Sequence, residues 1–485
     1  MRTFRFGLVV ALATMASFLG CSNDDTPTSP GSGTPIVSTT SVAINQHNNL
    51  SLVVKFTVAG ADSARVLYGQ PGGPQLSTPR YAVTGSPMSI VTLGLLPETN
   101  YEHRVEVSNG SQVVTTAPVE FSSGPLPDYL ASEVEFQITG TAPPGYISTV
   151  VRDDPANRFL VFFDETGRIA WYRKFDVIGS FGQQLANGNY GVFIGFSQGW
   201  QPDYGYYEEL TPAGEIVRRH EAPDLLYTDG HEFLLTPRAG GFAAHLFSYS
   251  HRTVDMTPMG GPADALIAGH QIQRFSPAGV VEFSWDAWNY FNVEDWIELP
   301  ESRRQQDNAD FDHPNALALD LDGHYVASFR DLAEVTKINS QTGEIIWRLG
   351  GVNNQFTFLN DPLDGFNGQH SVHILDNGNV LLFDNGLRHD PPESRAVEYG
   401  LDLDQMTATM VWQYRHAPAV YTMFTGGVER RINGNTVVQF AATGLVVEAD
   451  PAGQVVWTGQ MMVSGAEAVL YRLVPTPSLY EYIRP

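Results

Sequence analysis

The sequence predicts an all-β protein, a six-bladed β-propeller preceded by a small β-sandwich. Three observations carry this prediction. A turn flanked by two short strands, usually with glycine in the turn and an aromatic at the end, recurs six times after about residue 132. A second turn type, Asn-Gly or Asp-Gly followed by an apolar strand, precedes several of those copies and favours tight hairpins. Long helical periodicity is missing; only Ser284–Arg304 has a pattern that predicts a helix, expected as an insertion near one face.

The chain has 485 residues, too long for one ordinary core, so two or three domains are expected. It carries 28 Lys and Arg against 53 Asp and Glu, a net charge of −25. A protein that binds nucleic acid needs a basic face, so nucleic acid is not an expected partner. Residues 1–20 read as an export signal, with Arg2 and Arg5 ahead of a short apolar run from Phe6 to Leu19. Phe18-Leu19-Gly20-Cys21 resembles the lipobox of bacterial lipoproteins. That resemblance implies cleavage before Cys21, lipid attachment to it, and an exported protein anchored to a membrane at the cell surface or facing the periplasm. Cys21 is the only cysteine, so no intramolecular disulfide can form. Residues 21–35 are rich in Pro, Gly, Ser and Thr and read as a flexible tether.

Residues 36–127 contain short strand signals such as SLVVKFTV, SARVLYG and YEHRVEV separated by turn residues. The run Leu95–Val107 (LLPETNYEHRVEV) resembles the hallmark of fibronectin type III domains, which implies that Tyr101 forms a tyrosine corner. No cluster of His, Asp or Glu here suggests catalysis, and the region reads as a spacer or docking module.

Residues 130–485 form the predicted propeller and catalytic domain. The Gly-turn copies are Asp164–Arg173, Thr211–His220, Ser276–Trp285, Ser340–Gly350, Leu403–Arg415, which lacks the glycine, and Asp450–Gly459. The Asn/Asp-Gly copies are Leu185–Gly195, Leu321–Phe329, Leu375–Gly386 and Ile432–Phe440. Two hairpins per repeat make a four-stranded sheet, and six such sheets arranged radially make the propeller. Ring closure is expected between Val134–Thr139 and the last blade.

His231, His313 and His370 fall at or just before the first apolar strand of their repeats, in one phase of the repeat, and Arg330 lies one strand beyond His313. Equivalent positions in successive blades point to one axis, so these four side chains are expected to converge.

The succession His313-x-Asn315, Ser328-x-Arg330, TGEIIWRLGG, and Gln369-His370 followed by DNGNVLLFDNG resembles the bacterial arylsulfate sulfotransferases. The resemblance spans most of the chain after residue 130. It implies a six-bladed propeller that moves a sulfuryl group between phenols without a nucleotide sulfate donor, and therefore no cofactor. It further implies that His370 is the nucleophile that forms a sulfohistidine, that His313, Arg330 and His231 bind the sulfuryl oxygens, and that Asn315 helps to hold the site. The implied partners are small aryl sulfates and phenols. The chemistry suits these residues, since a neutral imidazole is available near neutral pH and a covalent intermediate divides one difficult transfer into two, with ping-pong kinetics. His313 is the first choice for acid and base. An aryl pocket could draw on Tyr204, Tyr206, Trp288, Tyr290, Tyr421 and Phe424.

Other signals carry less. Gly195–Gly199 fits G-x-S-x-G around Ser197, but no helical pattern follows it. Asp320–Tyr325 resembles part of a calcium loop but lacks the later glutamate. No phosphate-binding loop of the G-x-x-x-x-G-K-[ST] type occurs, and a sulfatase that uses a modified cysteine is excluded because Cys21 lies in the signal region. His245, His251, His270, His324, His373, His389 and His416 read as packing or surface residues, with His373 close enough to His370 to be watched. Two other classes stay open: a metal-dependent hydrolase or lyase built on the histidines, and a surface-displayed binding propeller without turnover.

Overall fold

The computed structural model describes residues 33–110, 112–198, 201–223, 226–296 and 309–480, with no side-chain description at 196–198 and 201–204. The signal segment 1–20, Cys21, most of the tether, and the side chains of Ser197 and Tyr204 lie outside the described residues.

Residues 36–122 form two facing sheets. One contains Ile36–Asn45, Asn48–Ala59 and Met88–Thr92; the other is centred on Ser63–Gly69 and Asn100–Ser108. Alternation along these strands buries Val54, Phe56, Val66, Tyr68, Ile90 and Val105 between them, as expected of strands with one face on a core. The hydroxyl of Tyr101 accepts the backbone N–H of Leu96 at 2.9 Å.

A six-residue helix, Asp128–Glu133, leads into the larger domain. That domain is nearly all strand and propeller-like, and its described strands group into six antiparallel sets of four strands, the last extended by a fifth. The innermost strands, in chain order, are Gly182–Gln184, Tyr227–Arg238, Pro314–Leu319, His370–Ile374, Gly427–Arg430 and Val474–Thr476. The second and third sets are joined into one larger sheet through the pairing of Gly205 with Thr228. Every Gly-turn copy seen in the sequence closes an outer hairpin, as at Asp164–Arg173 and Asp450–Gly459, and every Asn/Asp-Gly copy closes an inner one. The glycines sit at positive φ, for example +85° at Gly167 and +81° at Gly378, a conformation that costs other residues more.

Ring closure is double. Val134–Gly140 pairs with Val455–Val463, as expected, and becomes the outer strand of the last set. In addition Val474–Thr476 pairs with Tyr146–Asp154 and becomes the innermost strand of the first. A cavity of about 320 Å³ is lined by residues of all six inner strands, among them Gln184, Glu232, Leu317, Val372, Val428 and Pro475.

The helix expected over Ser284–Arg304 does not form in its described part. Strand Val281–Asp286 runs into two single 3₁₀ turns, Ala287–Asn289 and Val293–Asp295, and residues 297–304 lie outside the described residues. Trp285, Phe291 and Trp296 of this stretch instead pack into the core between the third and fourth sets. Among the described residues no helix is long and apolar enough to cross a membrane.

The sandwich rests on the first set. Leu93 enters a cluster with Val150, Trp171, Tyr190 and Leu479. Its backbone N–H reaches the Tyr480 hydroxyl at 2.7 Å, and Asn49 N–H reaches the Tyr172 hydroxyl at 3.0 Å.

Candidate active site

The three histidines sit where inner strands break register. The ladder of Tyr227–Arg238 skips between Thr228 and Phe233, leaving His231 in the gap. That of Pro314–Leu319 skips between Pro314 and Ala316, and His313 just before it has φ +42°. That of His370–Ile374 skips between His370 and His373, with Ser371 at φ +56°. A bulge re-aims a side chain that a regular strand would bury or expose, and positive φ at non-glycine residues stores strain of the kind that collects at functional sites. The structure brings His231, His313, Arg330 and His370 together. The rings of His231 and His313 are 4.7 Å apart, and Arg330, whose backbone N–H donates to His313 O at 3.0 Å, acts with both histidines on the charge state of His370.

The imidazoles are held in two ways. His231 Nδ1 donates to Asp229 at 2.7 Å, and His313 Nδ1 donates to Asp310 at 2.7 Å. His370 Nδ1 donates instead to the amide oxygen of Asn385 at 2.7 Å. The orientation of that amide is set by its nitrogen, which donates to the carbonyls of Thr422 at 2.8 Å and Thr425 at 2.9 Å. Among the described residues no hydrogen bond takes up His370 Nε2. Burial, then the charge of Arg330, lowers the His370 pKa well below the ordinary imidazole value. His313 is also lowered, by burial, against the opposing pull of Asp310. Burial alone would raise the Asp229 carboxyl; the imidazoles of His231 and His270 outweigh it and hold that carboxyl well below the usual range. His370 is 2% exposed, whereas the His231 and His313 side chains keep 17% and 22% of their surface. His370 is therefore the innermost of the three.

Arg330 is paired with Asp331 and donates from Nη2 to the carbonyl of Met423 at 3.2 Å. Asn315 is wholly buried; its amide nitrogen donates to the carbonyl of Gln369 at 2.7 Å, so it fixes the residue before His370 from the neighbouring set. Gln369 in turn donates to the carbonyls of Phe329 and Glu334, both at 3.2 Å. The axial cavity begins beside the site, since Glu232 and Ser371 line it while their neighbours His231 and His370 do not. Tyr471 stands between the two, donating to the carbonyls of His231 and Asn315 at 3.2 Å each.

Four site residues escaped sequence reasoning. Asp229 and Asp310 lie two and three residues before their histidines, in TDGH and DFDH, so their spacing was a usable signal. Asn385 sits in an Asp-Asn-Gly that reads as a turn. His270, read as packing, proves to be buried among carboxylates: its Nδ1 lies 2.6 Å from Asp312 and 3.6 Å from Asp310, and its Nε2 3.7 Å from Asp229. Of the candidate aromatics, Tyr206 lies under the Arg219 guanidinium, Trp288 packs at a tilt against Phe311 and Tyr290 stacks on Trp285. Tyr421 and Phe424 are exposed, on the loop whose carbonyls hold Arg330 and Asn385. His270, Asp310 and Asp312 offer three potential metal-ligand atoms within 4.8 Å of one another.

The sequence profile of the arylsulfotransferase (ASST) family matches residues 144–468, and the chain belongs to that family. Membership supports arylsulfotransferase activity in general and small aryl molecules as substrates. Comparison with curated proteins finds no sequence match. Among solved structures, a Bacteroides caccae protein of unknown function is 14% identical with a TM-score of 0.39, covering 72% of this chain and 100% of its own. A streptogramin B lyase is 11% identical with a TM-score of 0.32, covering 74% and 90% respectively. Similarity at that level says nothing about activity.

Proposed function

We propose that this protein is a nucleotide-independent aryl-sulfate sulfotransferase that works by a ping-pong mechanism through a sulfohistidine at His370. One observation carries the reading. Of the three converging imidazoles, His370 alone is backed by a neutral carboxamide and lies deepest, so it is held neutral with its Nε2 lone pair available.

In the first half-reaction His370 Nε2 attacks the sulfur of an aryl sulfate and the sulfur–oxygen bond to the ring breaks. The aryl oxygen leaves with the electron pair as a phenolate, which takes its proton from the solvent. Arg330 offers N–H donors to the sulfuryl oxygens as their charge redistributes, a contribution of about 3 kcal/mol for a well-placed donor, whereas the one N–H of a neutral His231 is already given to Asp229. Asn385 cannot accept the Nδ1 proton, so the sulfo-imidazole keeps its ring charge and remains a good leaving group. In the second half-reaction an accepting phenol gives its proton to His313 Nε2, its oxygen attacks sulfur, and the sulfur–nitrogen bond breaks to return neutral His370. Asp310 stabilises the imidazolium formed on His313, the usual task of a carboxylate behind a general base. Tyr421 and Phe424 offer aromatic surface for the ring of either phenol.

The test is transfer from para-nitrophenyl sulfate to excess phenol, followed by nitrophenolate release, with mass spectrometry of the peptide that carries His370. Acceptor-dependent release with a sulfuryl adduct on that peptide, lost in His370→Ala, is expected. Release without an adduct would overturn the covalent route.

We further read the six strand sets as blades of a six-bladed ring, the sandwich as fibronectin type III-like with Tyr101 at its corner, and Cys21 as the lipidated residue of an exported, membrane-anchored protein. Incorporation of labelled fatty acid that survives Cys21→Ser would exclude the last.

A further inference from the structure

Behind the catalytic histidines lies a buried cluster with more negative charge than the site chemistry needs. Asp229, Asp310 and Asp312 are 0%, 4% and 0% exposed, and His270 is 1% exposed. The fold assembles them from separate elements. Asp229 comes from the inner strand Tyr227–Arg238, and His270 from the middle of Ala265–Phe275. Ala309–Asp310 lies parallel to that strand, with Asp310 beside Ala268. Two residues on, the Asp312 carboxylate accepts both the backbone N–H of His270 at 3.1 Å and its Nδ1–H at 2.6 Å.

We infer that His270 is a positioning residue, a buried imidazolium that serves as shared counter-ion to Asp312, Asp310 and Asp229 and thereby holds His231 and His313 aligned and neutral.

Three carboxylates taken from water without a cation would be very costly. Asp229 and Asp310 already accept one hydrogen bond each from a catalytic imidazole, but a neutral imidazole brings no net charge. Among the described residues His270 is the one whose ring nitrogens lie within 4 Å of all three carboxylates. Among the described residues its Nε2 has no partner at hydrogen-bond distance, and it lies 3.7 Å from Asp229. The groups that face it are Asp229 from one strand, Tyr249 and His251 from the next, and Asp310 and Asp312 from the segment before His313. Burial would lower its pKa, but Asp312 and then Asp310 outweigh burial and raise it. Without this charge, the field of the carboxylates would favour protonation of His231 and His313, and a protonated His313 could not accept the proton of the attacking phenol. A divalent cation on His270, Asp310 and Asp312 is the competing occupant. It would have to displace the Nδ1–H that already fills the 2.6 Å gap to Asp312.

The inference rests on the proposed reaction only for its meaning, so its primary test does not use turnover. Histidine side-chain NMR of the whole protein, labelled on the imidazole nitrogens, would follow the titration of each ring through neutral pH. His270 is expected to carry protons on both nitrogens throughout. In His270→Gln the midpoints of His231 and His313 should rise by about one unit, and in Asp312→Asn they should fall by about one unit. Opposite shifts are what a counter-ion gives and a packing role does not. Should His270→Gln not fold, Asp312→Asn keeps the imidazole and carries the test with its downward shift. In the transfer assay the acid limb should move with those midpoints; a protein without transfer activity but with the opposite shifts would sink the proposed function and leave this inference standing. A neutral His270 at neutral pH, shifts of the same sign in both variants, or a stoichiometric divalent metal in the purified protein would overturn it.

Discussion

His231 and His313 each give their Nδ1 hydrogen to a buried carboxylate, while His370 gives the same hydrogen to a carboxamide. The three lie in one phase of the repeat, on three successive bulged strands. A carboxylate makes an imidazole a better base and welcomes its cation; a carboxamide orients the ring without stabilising positive charge. The repeat therefore supplies one scaffold position three times, and the residue behind each ring decides whether that ring exchanges protons or attacks sulfur.

The widest gap between the two kinds of histidine should open on removing the ring. His370→Ala is expected to lower kcat by a factor on the order of 10⁴ to 10⁶, as loss of a nucleophile does elsewhere, and to abolish the sulfuryl adduct. His313→Ala should leave adduct formation from para-nitrophenyl sulfate measurable, because that leaving group needs little acid.

Asn385→Asp converts His370 to the other kind. The new carboxylate raises the His370 pKa from its depressed value. His370 must be neutral to attack, so activity should be lost as pH falls through the raised pKa and regained on the alkaline side. At neutral pH the rate should fall about tenfold for each unit by which the raised pKa exceeds the pH, and a pH–rate profile reads this directly. An unchanged acid limb would break the comparison.

Asp310→Asn makes the reverse conversion at His313. It removes a group that pulls the His313 pKa up, weakening the base for the second half-reaction. Turnover with poorly acidic acceptors should drop by about 10², with adduct formation affected much less; stopped-flow measurement of the two half-reactions separates them. Tyr471→Phe deletes the hydroxyl that ties the strands of His231 and His313 together through His231 O and Asn315 O. It should cost about 1 kcal/mol in thermal unfolding and change turnover little.

Much of this comparison could be read before any coordinates. Turn chemistry at Gly167, Gly214, Gly343 and Gly378 marked the hairpins, because a positive-φ turn position leaves few alternatives to glycine. The phase of His231, His313 and His370 marked the site, since a repeat converts sequence phase into position around an axis. What stayed hidden depends on contacts between repeats. Asp312 meets His270 across 42 residues of chain, and Asn385 meets the loop at Thr422 across 37; neither pairing leaves a spacing to recognise. The helix expected after Ser284 did not form, because Trp285, Phe291 and Trp296 pack into a core that a strand and two single 3₁₀ turns serve.

Residues 471–480 also bear on how the molecule is made. They hold the Tyr471 bridge, the innermost strand of the first set and the Tyr480 hydroxyl that receives the sandwich. The partners of that strand, residues 146–148, are synthesised more than three hundred residues earlier. During synthesis the first set stands with an unpaired edge, and open edges invite association with other chains. Contacts between residues so distant in sequence form slowly. Folding is thus expected to end with an annealing step in which this segment seals the ring, completes the support of His231 and Asn315, and seats the sandwich together.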